Sequence, residues 1–170
     1  MPVEREQIRA KIADTLGQVG RVLDVGSGDC DLVRFLAREV AQDAVGIDIN
    51  GTTADEHVPS ASGDTRCTAR CVEMDAQNME GWEQDHFDAV VSTHALHEIA
   101  DPDAALREMR RVLKQGGTLL IADFTSGESR WHERYFTPKQ AEAMLHEAGF
   151  AGIDVQKVRG EHFMFALARK

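Results

Sequence analysis

Several residue types are scarce in this chain of 170 residues, and each scarcity excludes a class of protein. Three cysteines, Cys30, Cys67 and Cys71, are too few and too unevenly spaced for a disulfide scaffold, which fits a reducing cytoplasm. No window approaches the ~20 consecutive apolar residues of a membrane span. The charged N-terminus also lacks the apolar segment of a signal peptide. These absences predict a cytoplasmic protein with no membrane partner.

Positive charge is also in short supply. Lysine and arginine number 19 against 29 aspartates and glutamates, which gives a net charge of −10. Since affinity for phosphate backbones needs a basic surface, this balance argues against a sequence-independent nucleic-acid-binding protein. The hydrophobic content of 42% is ordinary for a globular protein, and the length suits a single domain over residues 1–170.

Strand-like and helix-like segments alternate along the chain. An amphipathic helix over 4–16, within a lead-in segment 1–19, precedes the apolar strand 22–25. Further strands are predicted over 44–49, 71–74, 87–92, 118–124, 152–158 and 162–168, with helices over about 29–40, 102–112 and 138–148. This order predicts an α/β fold: a Rossmann-like, seven-stranded, mostly parallel sheet with helices on both faces and an antiparallel last strand. Residues 51–66 are too poor in aliphatic side chains for this pattern, and we expect a frayed helix or a long mobile loop there.

The turn after the first strand, Gly26-Ser27-Gly28, is the most informative feature. It leads into a helix expected to start near Asp29, and its glycines let the backbone approach a ligand closely. The dinucleotide fingerprint would need a third glycine where Asp31 stands, and Asp29 would repel a pyrophosphate. The turn therefore favours a nucleoside that carries a cation or a zwitterion.

Acidic residues follow three successive predicted strands. Asp24 and Asp29 flank the first turn, Asp48 closes the second strand and Asp75 the third. Because parallel strands share one carboxyl edge, these carboxylates are expected to converge on one crevice. Asp48 also stands at the spacing from Gly28 at which a carboxylate reaches ribose hydroxyls. The alternative is that acids simply favour loop positions after strands.

Five motifs in this order carry a family resemblance. They are Val22–Gly28, Gly46–Ile49, Met74–Ala76, Phe87–His97 and Arg111–Ile121, in the last of which Gln115 replaces the usual proline. The later segments Tyr135–Pro138 and Ala148–Phe150 also match. Over residues 20–168 the chain resembles the class I S-adenosylmethionine-dependent methyltransferases, particularly the small type-11 branch of the ubiquinone and menaquinone pathways.

The resemblance implies S-adenosylmethionine as cofactor and methyl transfer to a small-molecule acceptor. The cofactor-binding residues that it implies fall into three groups: Asp24, Gly26, Ser27, Gly28 and Ser92 or Thr93 at the methionine end, Asp48 and Ile49 at the ribose, and Asp75 and Ala76 at the adenine. The signature of adenine N-methyltransferases is missing after the fourth strand, which argues against nucleic-acid base methylation.

Three histidines are candidates for a catalytic base that removes the acceptor's proton: His94, His97 and His132. The alternative for His97 is a packed pocket wall. The spacing His94-x-x-His97-Glu98 does not match a zinc-helix motif, so we expect no metal there.

Cys67-x-x-x-Cys71 leaves two interpretations open. With Cys30 and His57 these thiols could clip a soft metal or metalloid. The alternative is that Cys71 is a small apolar residue in a buried strand, which is the commoner use of a cysteine there.

The acceptor site is expected in the loop after the fifth strand, with the N-terminal helix as a partial lid. Trp131, His132, Tyr135 and Phe136 are candidate contacts, or alternatively helix-docking core. Without a long N-terminal cap, the acceptor is small, the site is open, or a partner protein or second copy completes it. A cofactor-binding regulatory or partner-dependent module without independent turnover is the alternative function.

Overall fold

The computed structural model describes residues 2–63, 65–125 and 135–170. Within these residues the helices are α1 (Pro2–Leu16), α2 (Asp31–Glu39), α3 (Pro102–Val112) and α4 (Pro138–Glu147), with a short 3-10 helix at Leu96–Glu98. The strands are β1 (Val19–Val25), β2 (Ala41–Asp48), β3 (Ala54–Pro59), β4 (Arg66–Glu73), β5 (Phe87–Thr93), β6 (Leu113–Phe124), β7 (Ala151–Lys157) and β8 (Phe163–Arg169).

All eight of these strands form one sheet in the order β3-β4-β2-β1-β5-β6-β8-β7. The five central strands, from β4 to β6, run parallel, and β8 runs antiparallel to both of its neighbours. In register, Val25 lies beside Ile47 and Asp48 beside Glu73, so β1, β2 and β4 end at the same edge. The predicted Rossmann-like α/β fold with an antiparallel last strand is confirmed.

Helices cover both faces of the sheet because both faces are apolar. One buried cluster includes Leu23, Val90, Leu106 and Met109 and packs under α3 and α4. The other includes Ile12, Val22 and Leu36 and packs under α1 and α2. The parallel strands are thus buried on both sides, as their continuous apolar runs predicted.

The prediction for residues 51–66 is wrong, and it accounts for the difference between seven strands and eight. The segment holds β3, which pairs antiparallel with β4 and places Val58 beside Cys67. Its side chains alternate between half-buried and exposed, as an edge strand requires. Arg34 of α2 donates two hydrogen bonds to Glu56, at 2.7 and 3.0 Å, and so fixes the strand from the helix side. Tertiary pairing therefore supplies the stability that local propensity lacks.

A disulfide that the sparse cysteines did not predict joins Cys30 to Cys71. Their Cα atoms are 6.2 Å apart, and both residues are buried. Cys30 directly precedes α2 and Cys71 lies in β4, so the bond ties the turn after β1 to the third parallel strand. Cys67 is a free, buried thiol.

Reduction of this disulfide is expected to lower the free energy of unfolding by about 2–4 kcal/mol, because the bond restricts the unfolded chain over a separation of 41 residues. Urea unfolding with and without dithiothreitol measures the difference. A Cys30→Ser/Cys71→Ser double variant is the control and should not respond to the reductant. Identical wild-type curves under both conditions would contradict the expectation.

Candidate active site

A cavity of about 690 Å³ opens at the carboxyl end of β1. Four parts of the fold line it: α1, the end of β1 with the turn that follows, the start of α2, and the ends of β5 and β6. The lining residues are Glu4, Arg5, Ile8, Arg9, Asp24, Gly26, Ser27, Gly28, Asp29, Asp31, Leu32, Thr93, His94 and Phe124. The sheet edge on which the acids were expected to converge is therefore concave, with α1 across it.

The turn after β1 has the backbone geometry that its glycines suggested. Gly26 has a φ of 83°, and a Cβ atom there would overlap the side chain of Ala95. Gly28 has a φ of 49° and open space where its side chain would be. Helix α2 begins at Asp31 rather than near Asp29, because Cys30 takes a left-handed conformation with a φ of 67°. The turn between β1 and α2 is thus longer than predicted.

Asp24 is the most unusual side chain of the cavity. It is 1% exposed, and neither of its carboxylate oxygens accepts a hydrogen bond from the described part of the chain. Burial, together with the smaller effects of the neighbouring charges of Asp48 and Asp29, raises the pKa of Asp24 to about 7. A cation brought by a ligand would stabilise the ionised form.

Asp48 is bonded to the turn after β1, although neither it nor Ile49 is among the residues that line the cavity. Its Oδ2 atom accepts a hydrogen bond from the backbone N–H of Gly28 at 3.0 Å, and Oδ1 accepts one from Asn50 at 2.8 Å. Each oxygen retains a second acceptor position. Ile49 follows and is 57% exposed, the large hydrophobic side chain most open to solvent among the described residues. A carboxylate that can accept from ligand hydroxyls and an exposed apolar side chain thus lie next to each other at the end of β2.

Asp75 and Ala76 lie beyond the end of β4. The backbone N–H and the side-chain amide of Gln77 donate to Asp75 at 2.8 and 2.9 Å, and these hydrogen bonds hold the pKa of Asp75 below its usual value. Ala76 packs against the buried cluster under α3. Neither residue lines the cavity, which is centred on the turn after β1.

Ser92 and Thr93 differ in position, although they are adjacent at the end of β5. The Ser92 hydroxyl is buried and donates to the Val25 carbonyl at 2.9 Å, which ties β5 to β1. Thr93 lines the cavity. Of the two predicted residues, Thr93 is therefore the one available to a ligand.

His97 is held by a buried carboxylate that sequence reasoning missed. Its Nδ1 atom lies 2.6 Å from Oδ1 of Asp123, and its backbone N–H donates to Oδ2 at 3.0 Å. Asp123 is fully buried near the end of β6. An acid inside the apolar run Leu119–Phe124 was the available signal. A carboxylate that accepts from Nδ1–H favours the neutral tautomer with its lone pair on Nε2, and Nε2 lies 3.8 Å from Oε1 of Glu98.

His94 lines the cavity in a backbone conformation that is uncommon for histidine, with a φ of 53°. Its ring stacks on Phe124 with centroids 4.5 Å apart, and Nε2 lies 3.0 Å from Oε1 of Glu4. The third candidate, His132, lies outside the described residues, as does Trp131. The structure therefore brings two of the three predicted histidines to the carboxyl end of β5.

The predicted acceptor residues that the structure describes have different surroundings. The Tyr135 ring lies 5.2 Å from the His97 ring and 5.9 Å from the Phe124 ring. Phe136 is buried within the cluster under α4, so the alternative of helix-docking core applies to it. Tyr135 thus belongs to an aromatic group with His94, His97 and Phe124.

Helix α1 is fastened to the cavity rim by ion pairs that the sequence did not reveal. Arg5 and Arg9 donate to the same oxygen of Asp31, at 2.8 and 2.7 Å. The guanidinium of Arg9 also lies 5.1 Å from the Phe35 ring centre. Helix α1 therefore lies at the cavity, and its role as a partial lid stays a prediction.

The cysteines do not form a metal clip in this structure. The Cys71 sulfur is bonded to Cys30, and Cys67 stands four positions before Cys71 on the same strand, about 13 Å away. Residues 2–63, 65–125 and 135–170 contain no group of three histidine, cysteine, aspartate or glutamate side chains suited to a metal ion. No helix in these ranges is long and apolar enough to cross a membrane.

The curated relatives to which the chain is similar in sequence have names that describe different activities. The mitochondrial arginine-hydroxylase NDUFAF5 of Danio rerio is 29% identical over 86% of this chain and 44% of its own length. The ubiquinone/menaquinone biosynthesis C-methyltransferase UbiE of Pseudomonas paraeruginosa is 34% identical over 64% of this chain and 43% of its own length. The chain thus spans less than half the length of these curated relatives.

Fold and family comparisons agree with the motif pattern. The crystal structure of the [4+2]-cyclase SpnF has a TM-score of 0.74 at 21% identity, covering 96% of this chain and 80% of that one, and shows a shared fold. The methyltransferase-domain model Methyltransf_11 matches residues 23–121, which include the turn after β1 and the ends of β2, β4 and β5. More than half of the chain is matched, and the resemblance to class I S-adenosylmethionine-dependent methyltransferases is confirmed: this protein belongs to the Methyltransf_11 family of methyltransferase domains.

Proposed function

We propose that this protein binds S-adenosylmethionine at the cavity beside β1 and transfers its methyl group to a small-molecule acceptor. The observation that carries the proposal is the buried Asp24 carboxylate, which lines the cavity and has no hydrogen-bond partner among the described residues. An isolated buried carboxylate is costly, and a ligand ammonium would relieve that cost. The cofactor brings such an ammonium on its methionine end.

The other residues fit the remaining parts of the cofactor. Asp48 has acceptor positions for ribose hydroxyls, and exposed Ile49 offers an apolar face for the adenine ring. Asp75 would accept from the adenine amino group, and the Ala76 backbone would contact the ring. The open space at Gly28 leaves room for a ligand against the turn. The absence of a third glycine and the acids Asp29 and Asp31 do not suit a pyrophosphate.

The bound cofactor supplies a methyl group already activated by its sulfonium. The protein then has to align the acceptor and, for an acceptor that carries a proton, remove it. We assign proton removal to His97, because Asp123 orients its ring and fixes the lone pair on Nε2. His97 is not among the residues that line the cavity, but it packs against Phe124, which is, with ring centres 5.7 Å apart.

A cofactor-binding module without independent methyl transfer is the second candidate. It is favoured by the curated relative from Danio rerio, whose printed name is that of a hydroxylase. In this case a partner chain or a second copy would complete the acceptor site. A cytoplasmic location remains a prediction from the sequence, and the Cys30–Cys71 disulfide does not favour it.

Release of S-adenosylhomocysteine distinguishes the two candidates. The chain is incubated with S-adenosylmethionine and a panel of small hydroxyl, amine, thiol and carbon-nucleophile acceptors. Acceptor-dependent release supports the methyltransferase. Firm cofactor binding without release for any acceptor would favour the module, and release that no acceptor stimulates would contradict the small-molecule assignment.

Asp48→Ala is expected to weaken S-adenosylmethionine binding by about 5- to 150-fold, equivalent to roughly 1–3 kcal/mol, since ribose hydroxyls lose their acceptor. Isothermal titration calorimetry measures the affinity. Asp43→Ala is a matched control, because Asp43 lies on the same strand toward its amino end, where it accepts from Thr68. Unchanged affinity in Asp48→Ala would refute the ribose assignment.

A further inference from the structure

Arg9 lines the cavity and has one buried donor that no described residue uses. Its Nη2 atom is held by Asp31 at 2.7 Å, and its guanidinium is supported by the Phe35 ring. Its Nε atom, by contrast, is buried and has no acceptor within the described part of the chain. Burying an N–H group without an acceptor is unfavourable, so a ligand oxygen there would stabilise the site.

The same cavity is lined by the unpartnered Asp24 carboxylate. Besides the Ser27 hydroxyl, the buried atoms of its lining that have no partner among the described residues include two charged groups, the Asp24 carboxylate as an acceptor and the Arg9 N–H as a donor. Asp31, which also lines it, is already engaged by both Arg5 and Arg9. A ligand complementary to the two unpaired groups carries an ammonium and a carboxylate, which is the arrangement of an α-amino acid.

We infer that Arg9 binds the carboxylate of the methionine moiety while Asp24 binds its ammonium, so that α1 is part of the cofactor site. This inference rests on the proposed function and extends it to a residue outside the matched family region 23–121. Asp31 and Phe35 act as positioning residues, since they hold the guanidinium at the cavity. Binding of the cofactor then adds a contact to α1 beyond the salt bridges to Asp31.

Two ligands that differ only in the carboxylate test the inference. Calorimetry compares S-adenosylmethionine with decarboxylated S-adenosylmethionine on the wild type, on Arg9→Gln and on Arg5→Gln. Arg9→Gln should weaken S-adenosylmethionine binding roughly 10- to 100-fold, as expected for loss of a charge-assisted hydrogen bond. It should leave the affinity for the decarboxylated ligand within about threefold of wild type. Arg5→Gln is the matched control, because Arg5 binds the same Asp31 oxygen but its side chain is 64% exposed.

The other outcomes are equally informative. An equal loss of affinity for both ligands in Arg9→Gln would overturn the inference, because the effect would then not depend on the carboxylate. So would an unchanged affinity for both. If the wild type binds neither ligand, the proposed function fails together with the inference, and that result is distinct from the other two. Circular dichroism of each variant checks that α1 remains folded.

Discussion

Replacing His97 by glutamine is expected to lower kcat for methyl transfer by about 100- to 10,000-fold when the acceptor must lose a proton. The Nδ1 atom of His97 lies 2.6 Å from the buried carboxylate of Asp123, so the ring is held in one orientation with its lone pair on Nε2. Glutamine retains a hydrogen-bonding group but cannot accept a proton near neutral pH. The affinity for S-adenosylmethionine should stay within about threefold, because His97 is not assigned to the cofactor.

Three further kcat measurements distinguish a catalytic base at His97 from a side chain that only packs there. Asp123→Asn should also lower kcat strongly, because an amide can donate to Nδ1 and so favour the wrong tautomer. His94→Gln is the matched control on the cavity wall, and its effect should be much smaller. The loss in His97→Gln should diminish at high pH, where the acceptor ionises without help. A kcat of His97→Gln within threefold of wild type would show that His97 only packs in this region and is not a base.

Replacing Asp24 by asparagine should stabilise the ligand-free protein while impairing its binding of cofactor. Burial raises the pKa of Asp24 from 3.8 to about 7, so the folded protein holds a proton that the unfolded chain releases. The contribution of this proton to stability is fully present below about pH 4 and is lost as the pH rises through 7. The free energy of unfolding should therefore exceed that of wild type by roughly 2–4 kcal/mol at pH 8, with little difference near pH 4.

Ionisation of Asp24, which lowers the stability of the ligand-free protein, should strengthen cofactor binding. The ionised carboxylate binds the ligand ammonium, so wild-type affinity should rise with pH through about 7 with release of a proton. Asp24→Asn should bind S-adenosylmethionine more weakly by at least about tenfold at pH 8 and should lose this pH dependence. Urea unfolding and calorimetry in buffers of different ionisation enthalpy measure the two effects. A variant less stable than wild type at pH 8 would show that Asp24 has a partner in the free protein.

The central part of the fold could be predicted because its signals are local. The apolar runs around Leu23 and Val90, and the N-terminal cap at Thr137, determine their elements without knowledge of distant residues. Strand β3 could not be predicted, because its small and polar residues become a strand only by pairing with β4 and by the Arg34–Glu56 contact. The Cys30–Cys71 disulfide depends in the same way on tertiary structure.

The candidate site likewise contains residues that local sequence predicts and residues that only tertiary structure places. Asp24, Gly26 and Gly28 could be assigned to the cavity because strand ends in a parallel sheet meet at one edge. Their neighbours Ser92 and Thr93 could not be told apart, since which of them faces the cavity depends on the pairing of β5 with β1.

The missed residues contact the site from distant parts of the chain. Asp123 pairs with His97 across 26 positions, and Arg9 reaches Asp31 across 22. Neither separation corresponds to a sequence motif. Both residues are placed by packing, the first through β6 and the second through α1.

Calorimetric titration of the wild-type protein with S-adenosylhomocysteine and, separately, with NAD tests the central claim most directly. An S-adenosyl site built around Asp24, Asp48 and the turn after β1 predicts saturable one-to-one binding of S-adenosylhomocysteine and no measurable binding of NAD, whose pyrophosphate would face Asp29 and Asp31. Firm binding of NAD without binding of S-adenosylhomocysteine would contradict it.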